Sequence, residues 1–187
     1  MQDLELEKSY WGLCTNTVND EIKHFTYGRL MGLELDFVWF NNVQYKNILD
    51  IGGGPAGMLL KVCNLKEGRV YDPIEWPKWV HDRYKTINTM LVCCPGEIVN
   101  ETGWDEVWIY NTLQHVENPE KIIQNAKCAA KVLRIFEWID ILPHAGHPHM
   151  LTQENLERWI GQKGNVTTLT GENECYGKCF HGVFSLM

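Results

Sequence analysis

No run in this chain approaches the roughly 18–20 consecutive apolar residues that cross a bilayer, so a membrane span is not expected. Internal repeats, low-complexity tracts and Pro/Gly-rich linkers are also missing, and 187 residues then read most simply as one domain with its own core. Positive charge is in short supply: 17 Lys and Arg face 24 Asp and Glu, for a net charge of −7 and a pI near 5.5. A surface of that sign repels a phosphate backbone on average, which disfavours nucleic acid as a partner. The opening stretch MQDLELEKSY is polar and acid-rich, unlike the apolar centre of a secretory leader, and a cytoplasmic location is expected. Cysteine is present seven times but without metal-site spacing. Cys175 and Cys179 stand four apart, with no CxxC and no second pair, so no metal centre is expected. An odd number of thiols scattered through apolar segments reads as reduced and mostly buried.

From about residue 46 onward, short apolar runs alternate with amphipathic segments, the pattern of βαβ units around a parallel sheet. Strands are expected at Asn47–Ile51, Arg69–Asp72, Met90–Cys93, Glu106–Tyr110 and Val132–Trp138. Helices are expected at Gly57–Cys63, at Trp79–Ile87, after the Asn118-Pro119 cap and after Thr152. Strands near Val166–Leu169 and Phe180–Phe184 suggest a closing hairpin. Residues 1–45 are aromatic-rich and read as an N-terminal helical cap or lid over a core at 46–187.

The strongest motif is Asp50-Ile51-Gly52-Gly53-Gly54-Pro55-Ala56-Gly57, placed where a strand gives way to a helix. Glycines there let a nucleotide-type ligand approach bare backbone in a turn too tight for side chains. Gly52, Gly54 and Gly57 also satisfy GxGxxG, so an NAD(P)-binding oxidoreductase stays open on this motif. Asp72 closes the second strand, where a carboxylate can accept from both hydroxyls of a ribose.

Asp50 two residues ahead of Gly52 resembles the acidic start of the methyltransferase motif D/E-x-G-x-G-x-G. The segment Asn111-Thr112-Leu113-Gln114-His115-Val116-Glu117-Asn118-Pro119 looks like the L-x-H-V-x-x-P stretch after strand four of small-molecule methyltransferases of the ubiquinone-biosynthesis type. Together these resemble the class I S-adenosylmethionine-dependent methyltransferases over roughly residues 46 to 140. The resemblance implies an α/β, Rossmann-like fold. Its seven-stranded, mostly parallel sheet would carry helices on both faces and a C-terminal antiparallel hairpin. It also implies S-adenosylmethionine as cofactor, S-adenosylhomocysteine as product and a small-molecule acceptor. Carried over by residue, Gly52, Gly53 and Gly54 would face the methionine part and ribose, with Asp50 nearby. Asp72 would hold the ribose, and Pro73 and Ile74 would flank the adenine. Gly96 and Glu97 would approach the adenine amino group, while Asn111 and Leu113 would border the reactive methyl. A non-catalytic module that binds the cofactor, as partner subunit or sensor, fits the same motifs.

A base is needed only if the acceptor holds its proton tightly. His115 sits in the HVxxP segment and can orient a loop or act on the acceptor. His144, His147 and His149 lie in a Pro- and Gly-marked loop after the fifth strand, at the ligand-facing end expected of an open α/β sheet. One of them could deprotonate the acceptor; an inert loop is the main competing reading, and a zinc- or nickel-type site made by the three histidines is the third. Tyr10, Trp11, Phe25 and Tyr27 could form a water-excluding lid or simply pack.

Overall fold

A computed structural model describes residues 4–186 of the chain. Two helices come first, α1 (Leu4–Trp11) and α2 (Cys14–Leu30), then a two-stranded hairpin of β1 (Leu35–Asp36) and β2 (Trp39–Phe40). The core follows as β3 (Asn47–Ile51), β4 (Glu67–Asp72), α3 (Lys78–Lys85), β5 (Thr89–Cys93), β6 (Trp104–Tyr110), α4 (Pro119–Ala129) and β7 (Ala130–Trp138). It ends with α5 (Gln153–Ile160), β8 (Asn165–Thr170) and β9 (Tyr176–Ser185).

Seven strands form one sheet in the order β5-β4-β3-β6-β7-β9-β8. The first five run parallel, whereas β9 pairs antiparallel with both β7 and β8. The expected sheet and closing hairpin are therefore both present. Burial on both faces explains why the central strands read as nearly continuous apolar runs. Along β3, Leu49 and Ile51 join the core under α4 and α5, while Ile48 turns into the core beneath α2 and α3. Along β6, Val107 and Ile109 take the first side and Trp108 and Tyr110 the second. Complete burial of such a side chain contributes roughly 1.5–3 kcal/mol.

Local chemistry sets the helix ends. The Asn118 side chain accepts from the Lys121 amide at 3.0 Å with Pro119 next in line, and Thr152 accepts from the Asn155 amide at 3.2 Å. Gly161, at φ 84°, ends α5 in a left-handed conformation that glycine adopts without strain.

The expected helix at Gly57–Cys63 is not formed. Two short 3-10 turns, Gly54–Ala56 and Met58–Lys61, take its place. Pro55 brings no amide hydrogen, and Gly57 at ψ 160° swings the chain out of helical geometry. The two amides at its expected start are held by distant tyrosines: Gly57 donates to Tyr84 Oη and Met58 to Tyr110 Oη, both at 2.9 Å. The cysteine expectation also needs correction. Only Cys175 and Cys179 are buried; Cys63 and Cys94 are partly buried, and Cys14, Cys93 and Cys128 are exposed.

The N-terminal helices are tied to the sheet by a buried ion pair. Arg134 on β7 donates from Nε to Glu106 Oε2 at 2.7 Å, and Lys46 pairs with the same carboxylate. Arg134 Nη1 also donates to the Met31 and Gly32 carbonyls at 2.7 and 3.0 Å, closing off the C-terminal end of α2. Burial would raise the Glu106 pKa, but Arg134, Lys46 and Trp108 outweigh it and hold the group below the usual carboxylate range.

Candidate active site

The carboxyl ends of β3, β4, β6 and β7 converge at the point where strand order reverses, the usual ligand crevice of an open α/β sheet. A cavity of about 730 Å³ lies there, roofed by α1 and α2. Its floor is the glycine loop, with Gly52 and Gly54 in the wall. Gly52 has φ +82°, and a Cβ on it would meet Thr112 Cγ2 at 2.3 Å. A Cβ on Gly54 would meet nothing closer than Trp11, at 3.5 Å, so bare backbone faces the cavity.

Gly53 is buried under this floor, where a Cβ would come within 2.6 Å of Asp50 Oδ2. Asp50 is fully buried, and its Oδ2 accepts from Tyr110 Oη at 2.7 Å. Since Tyr110 Oη also takes the Met58 amide, Asp50 braces the loop from beneath and does not line the cavity. Burial pushes its pKa up to about 7; Tyr110 pulls the other way, and Asp72 adds to the rise.

Asp72 does reach the cavity, with Pro73 and Ile74 beside it. Its Oδ1 accepts from the Ile74 amide and Trp76 Nε1, each at 3.0 Å, and Oδ2 accepts from the Gly54 amide at 3.2 Å. A carboxylate has about four acceptor positions, so Oδ2 keeps one to offer. Burial raises the Asp72 pKa to about 6 against these three hydrogen bonds.

Gly96 and Glu97 form part of the rim. Glu97 Oε1 accepts from the Glu117 and Asn118 amides at 2.9 and 3.0 Å, fastening the start of α4. Asn111 lines the cavity at φ 52°, but Leu113 turns away into the core and is fully buried; Thr112 and Gln114 stand in the wall instead. The cause is Glu137, which sequence reading missed. This fully buried β7 carboxylate takes the Thr112 amide at 2.9 Å and the Leu113 amide at 3.0 Å on Oε1, clamping the loop after β6. Burial lifts its pKa to about 7, against the two amides and His115. The legible signal was an acid inside the apolar run VLRIFEW, because buried acids are seldom unpartnered.

The four candidate histidines separate. His115 lines the cavity, and its Nδ1 lies 3.0 Å from Glu7 Oε1 on α1. Burial would lower the His115 pKa, but Glu7 more than compensates and the net shift is upward. His147 also reaches the cavity, its ring 4.5 Å from that of His115. Burial and the neighbouring His115 and His144 drop its pKa to about 4. His144 is exposed outside the wall, because a tight turn exchanges backbone hydrogen bonds between residues 144 and 147 and aims only one ring inward. His149 Nε2 sits 2.8 Å from the Val116 carbonyl oxygen and holds that loop. Of the aromatic residues named for a lid, Tyr10, Trp11 and Tyr27 line the cavity and Phe25 does not.

No family model and no curated protein matches the sequence. Solved structures do match its fold. The N-methyltransferase NodS of Bradyrhizobium japonicum WM9, solved with S-adenosyl-L-homocysteine, superposes with a TM-score of 0.62 at 14% identity, over 88% of this chain and 87% of that one. The fold is that of the class I methyltransferases. A SAM-dependent methyltransferase from Aquifex aeolicus gives a TM-score of 0.55 at 14% identity, over 90% of this chain and 98% of that one. The cyclase SpnF gives 0.52 at 14% identity, and the match spans only 53% of its length and 66% of this chain. The same architecture thus serves a cyclase as well as methyltransferases, and activity has to be argued from the site. No described helix is long and apolar enough to cross a membrane.

Proposed function

We propose that this chain binds S-adenosylmethionine in the cavity and passes its methyl group to a small-molecule acceptor. The observation that carries the reading is the open Oδ2 position of Asp72 beside the bare backbone of Gly54. A buried carboxylate without a cation, with its pKa raised to about 6, is suited to accept from a ribose hydroxyl, and Gly52 and Gly54 leave room for the rest. Pro73 and Ile74 offer apolar flanks for a base, and Asn111 stands where the methionine part would lie. When bound, the cofactor supplies a methyl group activated on a sulfonium.

The residues around it position and desolvate. Holding donor and acceptor in line is worth up to about 7–11 kcal/mol in favourable intramolecular systems. Trp11 on α1 closes the cavity above the glycine loop and helps to exclude water. His147 is neutral at pH 7, but a pKa lowered to about 4 leaves it a weak base, and His115 is committed to Glu7, so the site supplies positioning and desolvation rather than a strong base. The NAD(P) reading is not favoured: its fold ends in parallel strands, whereas here antiparallel β9 enters between β7 and β8.

The test is turnover. Protein incubated with methyl-labelled S-adenosylmethionine and a fractionated small-molecule extract should form S-adenosylhomocysteine and a labelled product in matching amounts. Tight cofactor binding with no fraction supporting turnover would leave a binding module and refute methyl transfer.

A further inference from the structure

The cavity is larger than its cofactor end, and its other end has a distinct character. Away from the glycine loop it is walled by Tyr10, Tyr27, Trp138 and Tyr176, with Asp20 and Glu174 among them. Across the whole cavity the described lining carries the carboxylates of Glu7, Asp20, Asp72, Glu97 and Glu174, against Lys23 as the only lysine or arginine. Most of these charges are already engaged. Glu7 meets His115 at 3.0 Å, Glu97 holds two amides, and Asp20 takes Lys23 at 3.3 Å and the Tyr10 hydroxyl at 3.0 Å. Lys23 is therefore not free to receive an anion.

Glu174 has no ion pair among the described residues, and it stands beside the aromatic group. Its turn is fastened to α2 on both sides: Arg29 pairs with Glu172 at 2.7 Å and the Asn173 side chain donates to Thr26 Oγ1 at 3.0 Å. A second observation points the same way. Gln114, 1% exposed, lines the cavity with its amide nitrogen donating to Asn111 Oδ1, which leaves its carbonyl oxygen buried with no partner. Such an oxygen calls for an N–H or O–H donor. Ring faces, a spare carboxylate and a spare carbonyl oxygen are the parts that recognise a cation with N–H groups.

We infer that the acceptor carries a protonated amine or guanidinium, seated between Trp138, Tyr176 and Glu174. The inference rests on the proposed function for what occupies the glycine-loop end, and it does not specify which acceptor atom is methylated. It excludes carboxylate- or phosphate-bearing acceptors at this end, where no free cation awaits them.

Three size-matched probes decide it: tyramine, neutral 4-ethylphenol and anionic 4-hydroxyphenylacetate, each titrated calorimetrically into protein saturated with S-adenosylhomocysteine. Tyramine should bind about two- to fivefold more tightly than 4-ethylphenol, the scale of a cation–π contact at a partly exposed site, since Tyr176 is 65% exposed, and 4-hydroxyphenylacetate should bind weakest. Glu174→Gln and Trp138→Leu should each weaken tyramine severalfold while S-adenosylhomocysteine binding stays level, which also shows that the variants fold. Equal affinity for the three probes, no tyramine binding, or tyramine binding indifferent to Glu174→Gln would overturn the inference. Failure of S-adenosylhomocysteine itself to bind would instead strike the proposed function, and the ranking of the three probes without it would still judge the acceptor end.

Discussion

Replacing Glu137 with Gln and with Leu separates the two things this buried carboxylate does. Its pKa of about 7, against 4.5 for a free glutamate, means that burial disfavours the charged form by roughly 3 kcal/mol. Between those values the folded protein keeps a proton that the unfolded chain has released, so the contribution to stability falls as pH rises from about 4.5 to 7. Glu137→Gln removes the charge and keeps an oxygen where Oε1 accepts both the Thr112 and Leu113 amides. Its new NH2 replaces Oε2, 3.2 Å from the Thr112 amide, and returns part of the gain. The expected net effect is stabilisation by about 1–3 kcal/mol at pH 8, shrinking below about 1 kcal/mol at pH 5. Glu137→Leu also removes the charge but strands two buried amides, at about 1–3 kcal/mol each. It should therefore be about 2–6 kcal/mol less stable than Glu137→Gln at either pH. Urea denaturation of the three proteins at pH 8 and pH 5 measures both differences. Calorimetry with S-adenosylhomocysteine should show near-native affinity for Gln and a loss of tenfold or so for Leu, whose loop is no longer clamped. If Gln and Leu have equal stability, or if the effect of Gln does not change with pH, this account of Glu137 is wrong.

Gly52→Ala should destabilise by about 2–5 kcal/mol in denaturant unfolding, since it combines φ +82° with a Cβ contact of 2.3 Å to Thr112. Arg134→Met should cost about 3–5 kcal/mol by leaving Glu106 short of its main partner, and amide exchange at the end of α2 should quicken as the Met31 and Gly32 carbonyls lose their donor. The Glu7–His115 contact predicts a pH-dependent roof. His115 has a raised pKa, so the pair is complete below 6.5 and is lost as pH climbs through the raised value, and amide exchange in α1 should accelerate there. Glu7→Gln should remove that pH dependence, and persistence of it would assign the effect elsewhere.

The parallel strands, the glycine loop and the caps of α4 and α5 were legible because each rests on local chemistry: apolar runs, glycine spacing and Asn118 or Thr152 ahead of a periodic segment. The missing helix after the loop was not, because Gly57 leaves helical geometry at ψ 160° and the chain there is held by Tyr84 and Tyr110, residues 27 and 52 positions away. The same long-range cause hides the role of Asp50, whose motif suggests a ligand contact and whose hydrogen bond to Tyr110 puts it beneath the floor. Leu113 and Gln114 are adjacent in the chain and only the Glu137 clamp decides which faces the cavity. Of the histidine loop, composition named three candidates, but the turn between residues 144 and 147 selects His147.

The most direct test is calorimetric titration of the wild-type protein and Asp72→Ala with S-adenosylmethionine, S-adenosylhomocysteine and NAD(H). The account predicts micromolar binding of both sulfur nucleosides, weakened at least about tenfold by Asp72→Ala as one charge-assisted hydrogen bond is lost, and no binding of NAD(H). Binding of NAD(H) alone, or nucleoside binding indifferent to Asp72, would contradict it.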